Sequence, residues 1–140
     1  MYLLDTNVLS ELMRPAPSPA LLAWVDGQAA QHLYICAITR AEIELGIALL
    51  PVGKRRSALH AQAQAMFDED FAGRCLAFDE QCAPLYAELV SSRTHKGAPI
   101  SVEDAQIAAI GLAHQKNLVT RNTADFEQIA GLKLINPWLS

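Results

Sequence analysis

The sequence predicts an α/β fold in which a parallel β-sheet is covered by helices on both faces. Three observations carry this expectation. Short apolar runs at 2–4, 33–38, 74–78, 118–120 and 133–135 alternate with longer segments of helical character. Several of those segments open with residue types that cap helices, as crossover helices do. One of them, 102–114, is apolar on nearly every side, which marks a helix packed inside rather than lying at the surface. Strands joined through helices pair in parallel by right-handed crossovers, so the expected architecture is a three-layer α/β/α sandwich around a central parallel sheet.

The elements follow in chain order. Tyr2, Leu3 and Leu4 form a buried strand that ends at Asp5-Thr6-Asn7, a run of good capping residues. A helix with Val8, Leu9, Leu12 and Met13 stops near Pro15, and Ser18-Pro19 starts another through Trp24 and Val25. Leu33 to Ile38 reads as the second strand. Thr39 then opens a helix containing Glu42, and Gly53 to Phe71 reads as a further amphipathic helix. Arg74 to Phe78 makes a third strand, Asp79 caps a helix through Leu89 and Val90, and residues 94–99 form an exposed loop. Ser101 begins the buried helix to His114. Leu118 to Thr120 is a fourth strand, Asp125-Phe126 follows in a turn or short helix, and Lys133 to Ile135 is the last strand.

With 140 residues the chain fits one domain, 1–140, and its 51% apolar and 19% charged content suits a packed core. No repeat, low-complexity tract or linker interrupts it. The start, MYLLDTN, has an acid at position 5 and no basic leader before a long apolar run. It therefore reads neither as a signal peptide nor as a membrane span, and the expectation is a cytoplasmic protein. Cys36, Cys75 and Cys82 are an odd number without a CxxC pair, which argues against disulfides and thiolate zinc, and they read as small core residues. His32, His60, His95 and His114 lack the i, i+4 spacing of a helical metal pair, so any metal should prefer oxygen. The formal charge of −4 does not fit a protein that grips nucleic acid by general electrostatics.

Four acids stand at element junctions: Asp5 after the first strand, Glu42 after the second, Asp104 on the buried helix and Asp125 after the fourth strand. Each alone has a structural reading. Asp5 can cap the next helix, Thr39-x-x-Glu42 and Ser101-x-x-Asp104 follow capping-box spacing, and Asp125 can be a turn residue. Together they mean more, because in such sheets ligands bind outside the carboxyl ends of the strands. An acid in so apolar a helix as that of Asp104 is costly unless something pairs with it, and no basic residue is placed to do so. Clustered carboxylates repel one another unless a divalent cation holds them ionised, and an oxygen-only set suits Mg²⁺ or Mn²⁺. Such a site supports metal-assisted phosphodiester hydrolysis without a protein nucleophile. Glu44 points to a different helix face, while Asp79 and Glu103 read as ordinary helix N-terminal acids.

The segments LLDTNVLSEL at 3–12, AEIELG around Glu42, ISVEDAQIAA around Asp104 and LVTRNTADF at 118–126 together resemble the PIN-domain ribonucleases, specifically the VapC and FitB-like toxins of type II toxin–antitoxin pairs. The resemblance implies Asp5, Glu42, Asp104 and Asp125 as the acidic, metal-holding cluster, with Thr6, Asn7, Thr120 and Asn122 in the same motifs orienting acids, water or phosphate. As caps and turn formers, these four have an equally good bland reading. It also implies Mg²⁺, with Mn²⁺ as substitute, and single-stranded or structured RNA, often tRNA, as substrate. A homodimer and a cognate antitoxin with a DNA-binding N-terminus follow as well, and the sequence leaves open whether they join in a larger assembly. An acidic surface suits a basic antitoxin segment. Lys54-Arg55-Arg56, Arg93, His95, Lys96 and Arg121 are the candidates for RNA contact, and Leu12, Leu21, Leu22 and Trp24 are candidates for dimer or antitoxin contact beside ordinary core packing.

Two other classes compete. A haloacid-dehalogenase-like phosphatase also begins with a strand-end Asp but carries a second Asp two residues later, where this chain has Asn7. A PIN fold kept only for binding would have lost acids, and all four are present.

Overall fold

The computed structural model describes residues 1–139. Among them are five strands, β1 (Tyr2–Leu4), β2 (Leu33–Cys36), β3 (Cys75–Leu76), β4 (Asn117–Val119) and β5 (Leu134–Ile135). Seven α-helices are interleaved: α1 (Thr6–Leu12), α2 (Pro19–Asp26), α3 (Ala37–Ala48), α4 (Lys54–Ala65), α5 (Cys82–His95), α6 (Val102–Ala113) and α7 (Thr123–Phe126). The strands form one sheet in the order β3-β2-β1-β4-β5, and every pairing is parallel.

Strand alternation divides the apolar residues between two faces. Leu4, Leu33, Ile35 and Val119 pack with Val8, Leu9, Leu21, Ile43, Ile47 and Ala63, which belong to α1 to α4. Leu3, Cys36 and Leu118 pack with Cys82, Leu89, Ile107, Ile110 and Phe126, which belong to α5 to α7. The three-layer sandwich expected from the sequence is therefore present. At Gly111 of α6 a Cβ would stand tightly against Leu132 Cδ1, at 3.3 Å, and in ordinary contact with Leu3 Cδ2 of β1, at 3.6 Å.

Several boundaries differ from the sequence reading. β2 ends at Cys36 and α3 starts at Ala37, so Thr39 lies inside the first turn, fully buried, and no Thr39–Glu42 capping box forms. The strand expected at 74–78 shrinks to Cys75–Leu76, which sits at the sheet edge with one neighbour to pair with. The helix expected to Phe71 leaves α-geometry at Met66 and ends in a π-helical turn, Met66–Asp70. Asp79 accepts the Gln81 N–H at 3.1 Å and shapes the turn before α5 instead of capping it. Cys36 and Cys82 are buried as expected, whereas Cys75 is exposed on the edge strand. Leu21 is core, Leu12 and Trp24 pack against it, and Leu22 is exposed. No helix among the described residues is long and apolar enough to cross a membrane.

Candidate active site

Strand order changes direction at β1, which continues to β2 on one side and has β4 on the other. The carboxyl ends of β1 and β4 thus flank a topological switch point, where open parallel sheets bind ligands. Asp5 follows β1 directly and Thr120 follows β4. The Asp5 N–H extends the pairing to Val119 O at 2.9 Å, which fixes the backbone at the head of α1.

Both oxygens of Asp5 are held. Oδ1 accepts the Thr6 N–H at 2.8 Å and so caps α1. Oδ2 accepts the Thr120 hydroxyl at 2.8 Å and Asn7 Nδ2 at 3.0 Å. The orientation of Asn7 is fixed from its other end too, since its Oδ1 accepts the Arg121 N–H at 3.1 Å. Thr120 is fully buried, and its Oγ1 also accepts the Asn122 N–H at 3.0 Å. The capping reading of Asp5 and the functional one are both realised, because a carboxylate retains lone pairs after three such bonds.

Glu42 reaches the same place from α3. The Thr6 hydroxyl donates to its Oε1 at 2.7 Å, so Thr6 links the first and second acids. Asp104 comes from the first turn of α6, where Ser101 Oγ accepts its N–H at 3.2 Å, as the spacing foretold. Asp5, Glu42 and Asp104 line one cleft of about 450 Å³ together with Thr6, Asn7 and Asn122, while Arg14, Arg121 and Trp138 complete its rim. Asp125, on α7, is exposed and stands outside that wall, although its charge is felt at Asp104. Phe126, 1% exposed, anchors α7 in the core.

Electrostatics single out the same residues. Burial pushes the Asp5 carboxyl above its ordinary range, against the hydrogen bonds from Thr120 and Thr6 that pull it down, and the charge of Glu42 adds to the rise. Asp104 is raised to about 6, by burial first and then by the charges of Asp5, Asp125 and Glu42. Among the described residues the ion pairs are Arg14–Glu11 and Arg40–Glu44, and neither involves one of these four acids. Glu44, set aside on its helix face, is accordingly paired elsewhere.

Among the described residues no three acidic, histidine or cysteine side chains are grouped tightly enough to enclose an ion unaided. The donors in the cleft are nevertheless of the kind a hard cation uses. Mg²⁺ keeps several waters and takes one or two carboxylates, and carboxylates that form no ion pair among the described residues meet that requirement.

Residues 2–132 match the PIN domain family. The chain belongs to that family. This PIN domain is 43% identical over 138 residues, 99% of this chain and 98% of the relative, to a protein of Sinorhizobium fredii named VapC ribonuclease Y4jK. It is 41% identical over 138 residues, 99% of each chain, to Toxin FitB of Neisseria gonorrhoeae. A solved structure of FitAB bound to an IR36 DNA fragment contains a chain with a TM-score of 0.90 and 41% identity, covering 99% of this PIN domain and 96% of that chain.

Of the seven basic residues set out as RNA contacts, Arg121 lines the cleft, and Lys54, Arg55, Arg56, Arg93, His95 and Lys96 do not. Arg93 is buried, 7% exposed, and its guanidinium is taken up by main-chain carbonyls: Nε donates to Ala98 O at 2.7 Å, and Nη1 to Asp125 O at 2.9 Å and Glu127 O at 3.2 Å. The helix read through Val90 continues as α5 to His95, and Arg93 lies on its buried side. Lys96 lines a separate depression beside Glu88 and Leu112. Two further cleft residues were not legible in the sequence: Arg14 lies just past the segment that carries Asp5, and Trp138 lies beyond the last acidic motif, and neither has a local pattern that marks it.

Proposed function

We propose that this PIN domain is the toxin of a toxin–antitoxin pair and a Mg²⁺-dependent endoribonuclease. The observation that carries the reading is the cleft at the switch point, where Asp5, Glu42 and Asp104 meet without a cationic partner among the described residues. The names of the full-length relatives, a VapC ribonuclease and a FitB toxin, support it.

Asp5 and Asp104 would hold the cation, with Glu42 and Asp125 completing the acidic field. Mg²⁺ bound there supplies an acidified water and neutralises charge on the phosphate. Thr120, Asn7 and Thr6 keep the Asp5 carboxylate in one orientation, so the site is organised before substrate arrives. Glu42 has Oε1 committed to Thr6, which leaves Oε2 to take a proton from the attacking water. No covalent intermediate is needed. The partners in this reading are RNA, a second copy of the chain and a cognate antitoxin, the last supported by the FitAB–DNA structure.

The test is cleavage of RNA with Mg²⁺ or Mn²⁺, with EDTA, and by the Asp5→Asn variant. Activity should vanish in EDTA and in the variant. Cleavage that survives both sinks the mechanism.

A further inference from the structure

We propose that Trp138 and Arg121 act as one receptor for an RNA backbone phosphate at the rim of the acidic cleft, the indole holding the guanidinium beside the reacting phosphodiester. The proposal rests on the ribonuclease reading of the same cleft and adds a residue, Trp138, that the acidic motifs do not contain.

Both side chains line the cleft that Asp5 and Asp104 line. The Arg121 guanidinium carbon stands 5.2 Å from the centroid of the Trp138 ring, within the range of a cation–π contact. Each partner is fixed at its base. The Arg121 N–H donates to Asn7 Oδ1 at 3.1 Å, and the same Asn7 holds Asp5 Oδ2 at 3.0 Å. The Trp138 N–H donates to Asn136 Oδ1 at 3.0 Å, and its ring packs against the apolar cluster on the α1–α4 side of the sheet.

The contact holds the guanidinium over the indole without using a hydrogen-bond acceptor. Among the described residues Arg121 makes no ion pair, and its side chain donates no hydrogen bond. The other cation on the rim, Arg14, is bonded to Glu11 at 3.3 Å. Arg121 is therefore the rim cation with its charge uncommitted, in a chain whose formal charge is −4. A planar fork pre-set by an aromatic face suits a phosphate, which it can meet with two parallel bonds. An acidic peptide would also satisfy a guanidinium. The RNA backbone is favoured because the network that fixes Arg121 also fixes Asp5, which ties this donor to the place of reaction.

The test compares Arg121→Met, Trp138→Leu and Trp138→Phe in steady-state cleavage of an oligoribonucleotide over a range of salt. Binding of the same labelled RNA by anisotropy, in the inactive Asp5→Asn background, gives a readout apart from turnover. Arg121→Met should raise KM and the dissociation constant about tenfold, as loss of a charge-assisted bond does, with kcat nearly unchanged. The slope of log affinity against log salt should become shallower by about 0.7, the share of one phosphate on a single strand. Trp138→Leu should shift both in the same direction by less, and Trp138→Phe should restore them. Arg121 is exposed, so its variant stays informative if Trp138→Leu unfolds. Unchanged KM and salt slope in Arg121→Met, while the parent protein cleaves RNA, would overturn this proposal alone, as would weakened binding of an acidic peptide or of the antitoxin with RNA binding intact. A parent protein that neither binds nor cleaves RNA overturns the ribonuclease reading and this proposal with it.

Discussion

The hydroxyl of Thr120 donates to Asp5 Oδ2 at 2.8 Å, joining the ends of two adjacent parallel strands across 115 residues of sequence. The bond lies inside the fold, so Thr120 acts on the acid and not on substrate. Thr120→Val keeps the shape and removes the donor. Loss of such an orienting partner should weaken metal affinity or activity by about 10–100-fold. Mn²⁺ titration and kcat/KM together check this, and a variant indistinguishable from the parent in both would show that Thr120 is only packing.

Asp5→Asn keeps the volume but replaces one acceptor by a donor. With the amide oxygen facing Thr120 and Asn7, the amide nitrogen meets the Thr6 N–H, and the α1 cap is lost at a cost of about 1 kcal/mol. Removal of a buried, uncompensated charge acts in the opposite direction. The variant should therefore unfold in urea within about 2 kcal/mol of the parent while losing RNA cleavage. A larger collapse would mean that the loss of activity reports unfolding.

Asp5 and Asp104 both titrate above the ordinary 3.8, Asp104 at about 6. Between the unfolded and folded values the native state binds more protons, so stability falls as pH rises through that window. Through these groups the metal-free protein should gain melting temperature on going from pH 7 toward pH 5. Mg²⁺ requires the ionised acids and should raise the melting temperature more at pH 8 than at pH 5. Thermal melts at both pH values, with and without Mg²⁺, decide the matter, and an equal Mg²⁺ effect at both contradicts it.

Arg93 ties the end of α5 to the segment leading into α6 and to the end of α7, through Ala98, Asp125 and Glu127 carbonyls. Arg93→Met leaves those acceptors without their donor and should lower stability by about 2–4 kcal/mol. Arg93→Lys should recover part of it. Urea denaturation measures both, and a change below about 1 kcal/mol for Arg93→Met would show that water replaces the guanidinium at little cost.

The alternation of apolar strands with helices made the sandwich legible, because burial on both faces of a parallel sheet leaves a continuous apolar run in each strand. The acids were legible from their company: Asp5 and Asp104 each have a use at a helix N-terminus, and only their placement with Glu42 at one edge of the sheet asked for more. What the sequence concealed depends on side-chain direction. Thr39 looked like a cap and is a buried residue of the first turn of α3, and Arg93 looked like a surface cation and is a clamp inside the fold. Trp138 joins the cleft only through the last turn, after β5 pairs with β4, and nothing near it in sequence announces that meeting.

The measurement that bears most directly on the central claim is Mn²⁺ binding by calorimetry at pH 7.5, without RNA, to the parent protein and to Asp104→Asn. The parent should bind the ion, and the variant should bind it at least about tenfold more weakly, since one of its one or two carboxylate ligands is gone. A parent protein that binds no Mn²⁺ at millimolar concentration, yet cleaves RNA in EDTA, would contradict the account.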